Sequence, residues 1–239
     1  EELKRPYRLM GDILGRLDRD IVFNLCQYGR GDVWNWGAEV GGHCWRTTGD
    51  LGLARHERLP GFYSIGFANA QHAAHAGPGH WNDPDYILIG RVGNARRKDD
   101  PPQPTGLTPD EQYSYMSMWA LMAAPLFFSG DMGSLDAFTL NVLCNAEVID
   151  IDQDPLGKQG AIVRHSEDEF ILAKPMEDGS LAVGLFNLSE TPREIAVTWN
   201  ELGISGRRRV RDVWRQRDLA SARAAWRARV NPHGVALVR

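Results

Sequence analysis

The sequence predicts an α/β unit followed by an all-β module, and two observations carry that reading. Helical and strand-like segments alternate through the first part of the chain, which is the mark of β/α units around a parallel sheet. After Asp150-Ile151-Asp152-Gln153-Asp154-Pro155 only short alternating runs broken by turn residues remain, as in antiparallel sheets. A boundary is expected near residue 155, giving units 1–155 and 156–239. At 239 residues the chain is long enough for two modest domains, each of which typically needs ~100–200 residues.

The opening segment places Leu3, Tyr7, Met10, Ile13, Leu14 and Leu17 at helical spacing and predicts an amphipathic helix. Ile21-Val22-Phe23-Asn24-Leu25-Cys26 is a short apolar run that fits a strand buried on both faces. A Gly- and Trp-rich loop follows from Gln27 to Gly42, then a helical stretch over 60–76 and a Gly77-Pro78-Gly79 turn. Asp85-Tyr86-Ile87-Leu88-Ile89 predicts another short strand, and the proline-rich insert 93–109, with Arg96, Arg97 and Lys98, a solvated loop. Thr108-Pro109-Asp110-Glu111 starts a helix with Thr108 as N-cap, Pro109 at N1 and Glu111 at N3. Later strands are expected at Phe170–Ala173, Leu181–Phe186, Ile195–Trp199, Arg209–Trp214 and Val235–Val238.

Composition excludes several classes of function. A net charge of −4 provides no field to recruit a polyanion, and no apolar stretch approaches the ~18 residues of a membrane span. Six arginines lie between Arg207 and Arg217, but the interleaved Val210, Val213 and Trp214 read as a strand with a charged outer face, not a nucleic-acid site. His72, His75 and His80 lack the His-Glu-x-x-His arrangement and any thiolate nearby, so they do not read as a metal site. Cys26, Cys44 and Cys144 are too few for a disulfide scaffold; Cys26 and Cys44 on neighbouring loops fit one disulfide or two core thiols equally.

Two clusters carry chemistry: Cys44-Trp45-Arg46-Thr47-Thr48-Gly49-Asp50 and Gly77-Pro78-Gly79-His80-Trp81-Asn82-Asp83-Pro84-Asp85. Each sets carboxylates beside a Trp in a Gly- or Pro-bent loop next to an expected strand. Sugar hydrolysis needs two carboxylic groups flanking the glycosidic bond, with charged partners for the hydroxyls. Asp in such loops is also a common turn-maker and helix cap, so the residues alone leave both readings open.

Five ordered strings resemble signatures of glycoside hydrolase family 27, which holds α-galactosidases and α-N-acetylgalactosaminidases. They are Phe23-Asn24-Leu25-Cys26-Gln27-Tyr28-Gly29, Trp45-Arg46-Thr47-Thr48-Gly49-Asp50, Gly79-His80-Trp81-Asn82-Asp83-Pro84-Asp85, 119–126 and 152–160. Val213-Trp214 and Asn231-Pro232-His233-Gly234 extend the resemblance to the C-terminus. It implies the later half, about strands 5 to 8, of a (β/α)8 TIM-type barrel, followed by an antiparallel β-sandwich. It implies a retaining exo-glycosidase that removes terminal α-D-galactosyl residues from galactosides or oligosaccharides without metal or cofactor. The same scaffold serves α-N-acetylgalactosaminidases and β-L-arabinopyranosidases, and an inactive sugar-binding protein is a further alternative. The sequence leaves the compartment open, and the resemblance slightly favours a secreted or periplasmic location. By the same resemblance Asp50 matches the acid/base, Arg46 a substrate-binding Arg and Asp85 a residue that bonds sugar hydroxyls. Cys26 and Gln27 fall where the pocket reads the sugar's 2-position, Gln27 standing where Glu is common, and Tyr86 stands where an aliphatic residue is common. The family's nucleophilic Asp sits in a Lys-Tyr/Phe-Asp-x-Cys motif, and none occurs in this sequence. These residues by themselves are therefore expected to be inactive.

Overall fold

A computed structural model describes residues 1–56, 58–93 and 99–239. The first unit runs α1 (Arg5–Leu14), β1 (Asn24–Leu25), β2 (Cys44–Arg46), β3 (Arg55–His56), β4 (Leu59–Pro60), α2 (Gly61–Ala70), β5 (Trp81–Asp83), β6 (Arg91–Val92), β7 (Gln103–Pro104), α3 (Pro109–Leu121), α4 (Ala137–Leu143) and α5 (Ala146–Asp152). β1, β2 and β5 form a parallel sheet with Cys44 opposite both Asn24 and Trp81, and Arg46 opposite Asp83. Side chains alternate between the faces of such a sheet. Leu25 and Trp45 turn into a small core with Val33, Trp36 and Val40, where Trp45 Nε1 donates to Asn82 Oδ1 at 2.8 Å. Asn24, Arg46 and Asp83 occupy the opposite, polar face. No helix among the described residues is long and apolar enough to cross a membrane.

α3 holds the two units together. Thr108 and Glu111 form the expected capping box, Thr108 Oγ1 accepting from Glu111 N and Glu111 Oε2 accepting from Thr108 N. The helix is buried nearly all round, so it shows no polar stripe. Tyr115 stacks on Phe62 of α2 with ring centroids 4.4 Å apart, and Leu121 meets the β module where a Cβ on Gly184 would lie 2.6 Å from its Cδ1.

The second unit comprises β8 (Ala161–His165), β9 (Glu169–Pro175), β10 (Leu181–Asn187), β11 (Arg193–Thr198), β12 (Arg208–Asp212), β13 (Arg217–Ala222), β14 (Ala225–Val230) and β15 (Val235–Val238). Six strands join in the order β13-β12-β15-β10-β9-β8, and the β11–β14 pair covers one face. Ile171, Val183 and Leu185 meet Ile195, Val197 and Val230 of that pair, whereas Phe170, Leu172 and Phe186 turn toward α2 and α3. β9 and β10 are thus buried on both faces, which is why they read as apolar runs.

The structure corrects several expectations. The strand expected at Ile21–Cys26 shrinks to Asn24–Leu25 and Val22 is exposed, because β1 is an edge with β2 as its one partner. No residue of α1 is buried, although its apolar spacing is helical. The strand expected at Asp85–Ile89 falls instead on Trp81–Asp83. Asp85 has φ 90, outside extended backbone, and beyond it Ile87 makes one isolated parallel bridge to Phe128. β12 ends at Asp212, leaving Val213 and Trp214 in a turn. Arg96, Arg97 and Lys98 lie outside the described residues.

Candidate active site

The site grows from the polar face at the C-terminal ends of β1, β2 and β5. Asp83, 2% exposed, lies at its centre. Its Oδ2 accepts from Asn24 Nδ2 at 2.6 Å and its Oδ1 from the backbone N of Asp85 at 2.8 Å. Burial raises its carboxyl above the ordinary range, although the bonds from Asn24 and Asp85 N and the nearby Arg46 oppose that. Asp85 is also buried, and its left-handed backbone turns its carboxylate toward the loop after β2. Oδ2 of Asp85 takes Arg46 Nη2 at 2.7 Å and Leu51 N at 2.8 Å, while Oδ1 takes Tyr86 N at 2.8 Å.

Arg46 connects the two sequence clusters. Besides Asp85, its Nη2 donates to Gly49 O at 2.7 Å, and its Nη1 stands 3.6 Å from Asp50 Oδ1. The guanidinium lies 5.8 Å from the Tyr28 ring centroid. Tyr28 follows Gln27 in a tight turn closed by Gly29 N donating to Arg46 O at 3.0 Å. Gly29 has φ 75, and a Cβ there would sit 2.3 Å from Thr47 O, so the turn requires glycine. Asp50, Arg46 and Asp85 therefore form a linked carboxylate–guanidinium–carboxylate series. Asp50 is the outer member, its side chain 74% exposed, and the burial a general acid needs is not supplied by the residues around it here.

Gln27 is buried, yet neither its Oε1 nor its Nε2 has a hydrogen-bond partner among the described residues. Arg46 Nε and Asn24 Oδ1 are likewise buried and unpaired. Buried polar atoms of this kind normally find partners, so this group of four departs from the usual pairing. Tyr86 is half exposed with its ring 6.4 Å from Phe127, at the rim of the cluster.

Cys26 and Cys44 are free thiols, so the disulfide alternative does not hold. In the parallel β1–β2 register Cys44 lies opposite Asn24, and Cys26 follows the end of β1, so the two are not register partners. Burial, helped by Asp83, pushes the Cys44 thiol up to about 12. His72 stacks on Trp34 at 3.6 Å between centroids.

Sequence reasoning did not single out Asp83 or Asn24. Two signals were available: a second carboxylate in the Asn82-Asp83-Pro84-Asp85 string, and one polar residue inside the apolar run around Leu25.

With this geometry in place, similarity to known proteins is informative. The family model described as alpha galactosidase A matches residues 1–154, and that described as the alpha galactosidase C-terminal beta sandwich domain matches 168–239. The chain belongs to glycoside hydrolase family 27. The family's relatives include alpha-galactosidase 2 of Arabidopsis thaliana, 34% identical over 232 residues that cover 96% of this chain and 54% of that protein. The Coffea arabica alpha-galactosidase is 35% identical, over 96% of this chain and 57% of its own length. The solved structure of a family 27 β-L-arabinopyranosidase from Geobacillus stearothermophilus superposes with a TM-score of 0.88 at 26% identity, covering 98% of this chain and 53% of that one. This chain thus carries the later part of the family's barrel and its C-terminal β-sandwich, and it spans about half the length of the curated relatives it matches.

Proposed function

We propose that these residues form one wall of the active site of a retaining exo-α-galactosidase, completed by a barrel half that carries the nucleophile. The observation that carries the reading is Arg46, held within 2.7 Å of Asp85 and 3.6 Å of Asp50 beside the unpaired amide of Gln27. Asp50 is the proton donor. It stands outermost of the three, where a leaving group departs to solvent. It first protonates the glycosidic oxygen, then takes the proton of the water that releases galactose from the nucleophile. Arg46 holds Asp50 and Asp85 in register. Asp85 has three donors on its two oxygens, which leaves one lone pair for a sugar hydroxyl. Gln27 faces the 2-position, where its amide both donates and accepts.

The similarity to the arabinopyranosidase structure supports a second reading, since L-arabinopyranose presents the same ring hydroxyls as galactose without the hydroxymethyl group. The full-length protein separates the two. The leading reading predicts a higher kcat/KM on an aryl α-D-galactoside than on the matching β-L-arabinopyranoside, with α-galactose as first product by NMR. The reverse preference selects the second reading, and hydrolysis of neither leaves a sugar-binding protein.

A further inference from the structure

The C-terminal module reaches the loop that begins at Asp50, and the geometry points to His233 as a positioning residue for that loop. This rests on Asp50 being the proton donor. His233 sits in the Asn231-Pro232-His233-Gly234 turn between β14 and β15, 6% exposed and with φ 53. A residue other than glycine holds such backbone only where its surroundings over-determine it. Here Tyr63 Oη and Ser114 Oγ donate to its carbonyl at 2.7 and 2.8 Å. Its ring bridges two carboxylates, with Nδ1 2.9 Å from Glu111 Oε1 and Nε2 3.1 Å from Glu190 Oε1.

Glu111 transmits the contact. It is fully buried, and the oxygen that meets His233 also takes Arg55 Nη2 at 2.7 Å. Arg55 opens the β3–β4 hairpin, which ends the loop starting at Asp50, and its Nη1 donates to Arg58 O at 3.1 Å. Arg58 in turn reaches Asp168 of the β module at 3.3 Å. At its near end the same loop is held by Leu51 N on Asp85. The segment after Asp50 is therefore fastened to a substrate-facing carboxylate on one side and to the β module on the other. Without the His233 ring, Glu111 loses one of the two groups that hold its Oε1, so the carboxylate to which Arg55 is tied is less firmly fixed and the hairpin gains freedom. A catalytic group misplaced by ~1 Å costs about 10²-fold.

The test uses the full-length protein with His233→Asn, which keeps a donor at the Nδ1 position, and His233→Gln, which keeps one at Nε2. Asn also suits the left-handed backbone of this turn, so the melting temperature of each variant is measured beside its rate. If His233 positions Asp50 through Glu111, His233→Gln lowers kcat on an unactivated galactosyl disaccharide roughly ten- to hundredfold. An aryl galactoside, which needs little protonation, is affected far less, galactose inhibition is unchanged, and His233→Asn restores most of the lost rate. Arg55→Met, made from the partly exposed end of the series, reproduces the His233→Gln pattern. Equal losses on both substrates, or Asn and Gln variants that behave alike, overturn the inference. Asp50→Asn measured alongside separates the two readings. If it spares the disaccharide, the proton-donor assignment fails; if it shows the leaving-group split and His233→Gln does not, only the positioning role fails.

Discussion

Asp83 ends β5 and Asp85 follows two residues later in the turn beyond it, and their surroundings give them different partners. Asp83 is spent on Asn24 and on the turn of its own chain, and burial raises its carboxyl, so it is a scaffold for the site. Asp85 is buried as well, but it is paired with Arg46 and with the backbone of Leu51 and Tyr86. Removing one charged partner from a buried hydrogen bond costs ~1.5–3 kcal/mol. Asp85→Ala in the full-length protein should therefore weaken galactose binding about ten- to hundredfold, as read by isothermal titration or competitive inhibition; unchanged affinity would place Asp85 away from the sugar. On the proposed reading Gln27 gates the 2-position. Gln27→Ser opens space there, so the ratio of kcat/KM for N-acetylgalactosaminides over galactosides should rise. An unchanged ratio would mean that Gln27 does not face that position.

At the scale of elements, the junction between α5 and β9 holds an ionisable pair outside the site. Lys174, fully buried on β9, donates to Lys158 O at 2.7 Å, and Asp152 ends α5 with a buried Oδ1 that has no partner among the described residues. Burial pushes Asp152 up to about 8 against the pull of Lys174, and burial lowers Lys174. A carboxyl raised in the folded state favours folding while protonated, so this contribution is present below its ordinary value and lost as pH rises toward about 8. Lys174 works in the opposite sense at higher pH, so the comparison of variants isolates Asp152. Asp152→Asn, which cannot ionise, should lose less melting temperature than the parent between about pH 5 and about pH 9. Parallel curves would show that Asp152 ionises freely. Legibility at this scale followed locality. The α3 capping box lies within four consecutive residues and β9 and β10 are continuous apolar runs, so both were readable. β13 and β14, with Arg-Asp-Leu-Ala-Ser-Ala and Ala-Trp-Arg-Ala-Arg-Val, lack clear alternation and form because β12 and β11 pair with them. The displacement of the expected Asp85 strand to Trp81–Asp83 depended on a left-handed residue that Asp-Pro-Asp does not announce.

Across the whole molecule, both units contribute to one site on the proposed reading: β1, β2 and β5 supply its wall, and the β module fastens the loop leaving Asp50. The motifs that carry the family resemblance lie on these parts, which is why sequence alone led to the site residues. It could not reveal that Arg46 binds both carboxylates or that Asp83 is buried beneath them, since those relations cross strands far apart in the chain. The wall holds a candidate donor and sugar ligands, and the sequence has no Lys-x-Asp-x-Cys nucleophile motif. Residues 1–239 expressed alone should accordingly release no nitrophenol from an aryl α-galactoside above the buffer blank, and clear turnover would place a nucleophile among them.

The central claim is that Asp50 is the proton donor of a retaining galactosidase, and Asp50→Asn in the full-length protein tests it most directly. The substitution keeps shape and removes the proton, and acid/base assistance is worth ~10²–10⁴-fold. The measurement is kcat/KM for an unactivated disaccharide such as melibiose beside that for a nitrophenyl α-galactoside. The account predicts a loss in that range on melibiose and a much smaller one on the aryl substrate, whose leaving group departs without protonation. Near-parent activity on melibiose, or equal losses on both substrates, would contradict it.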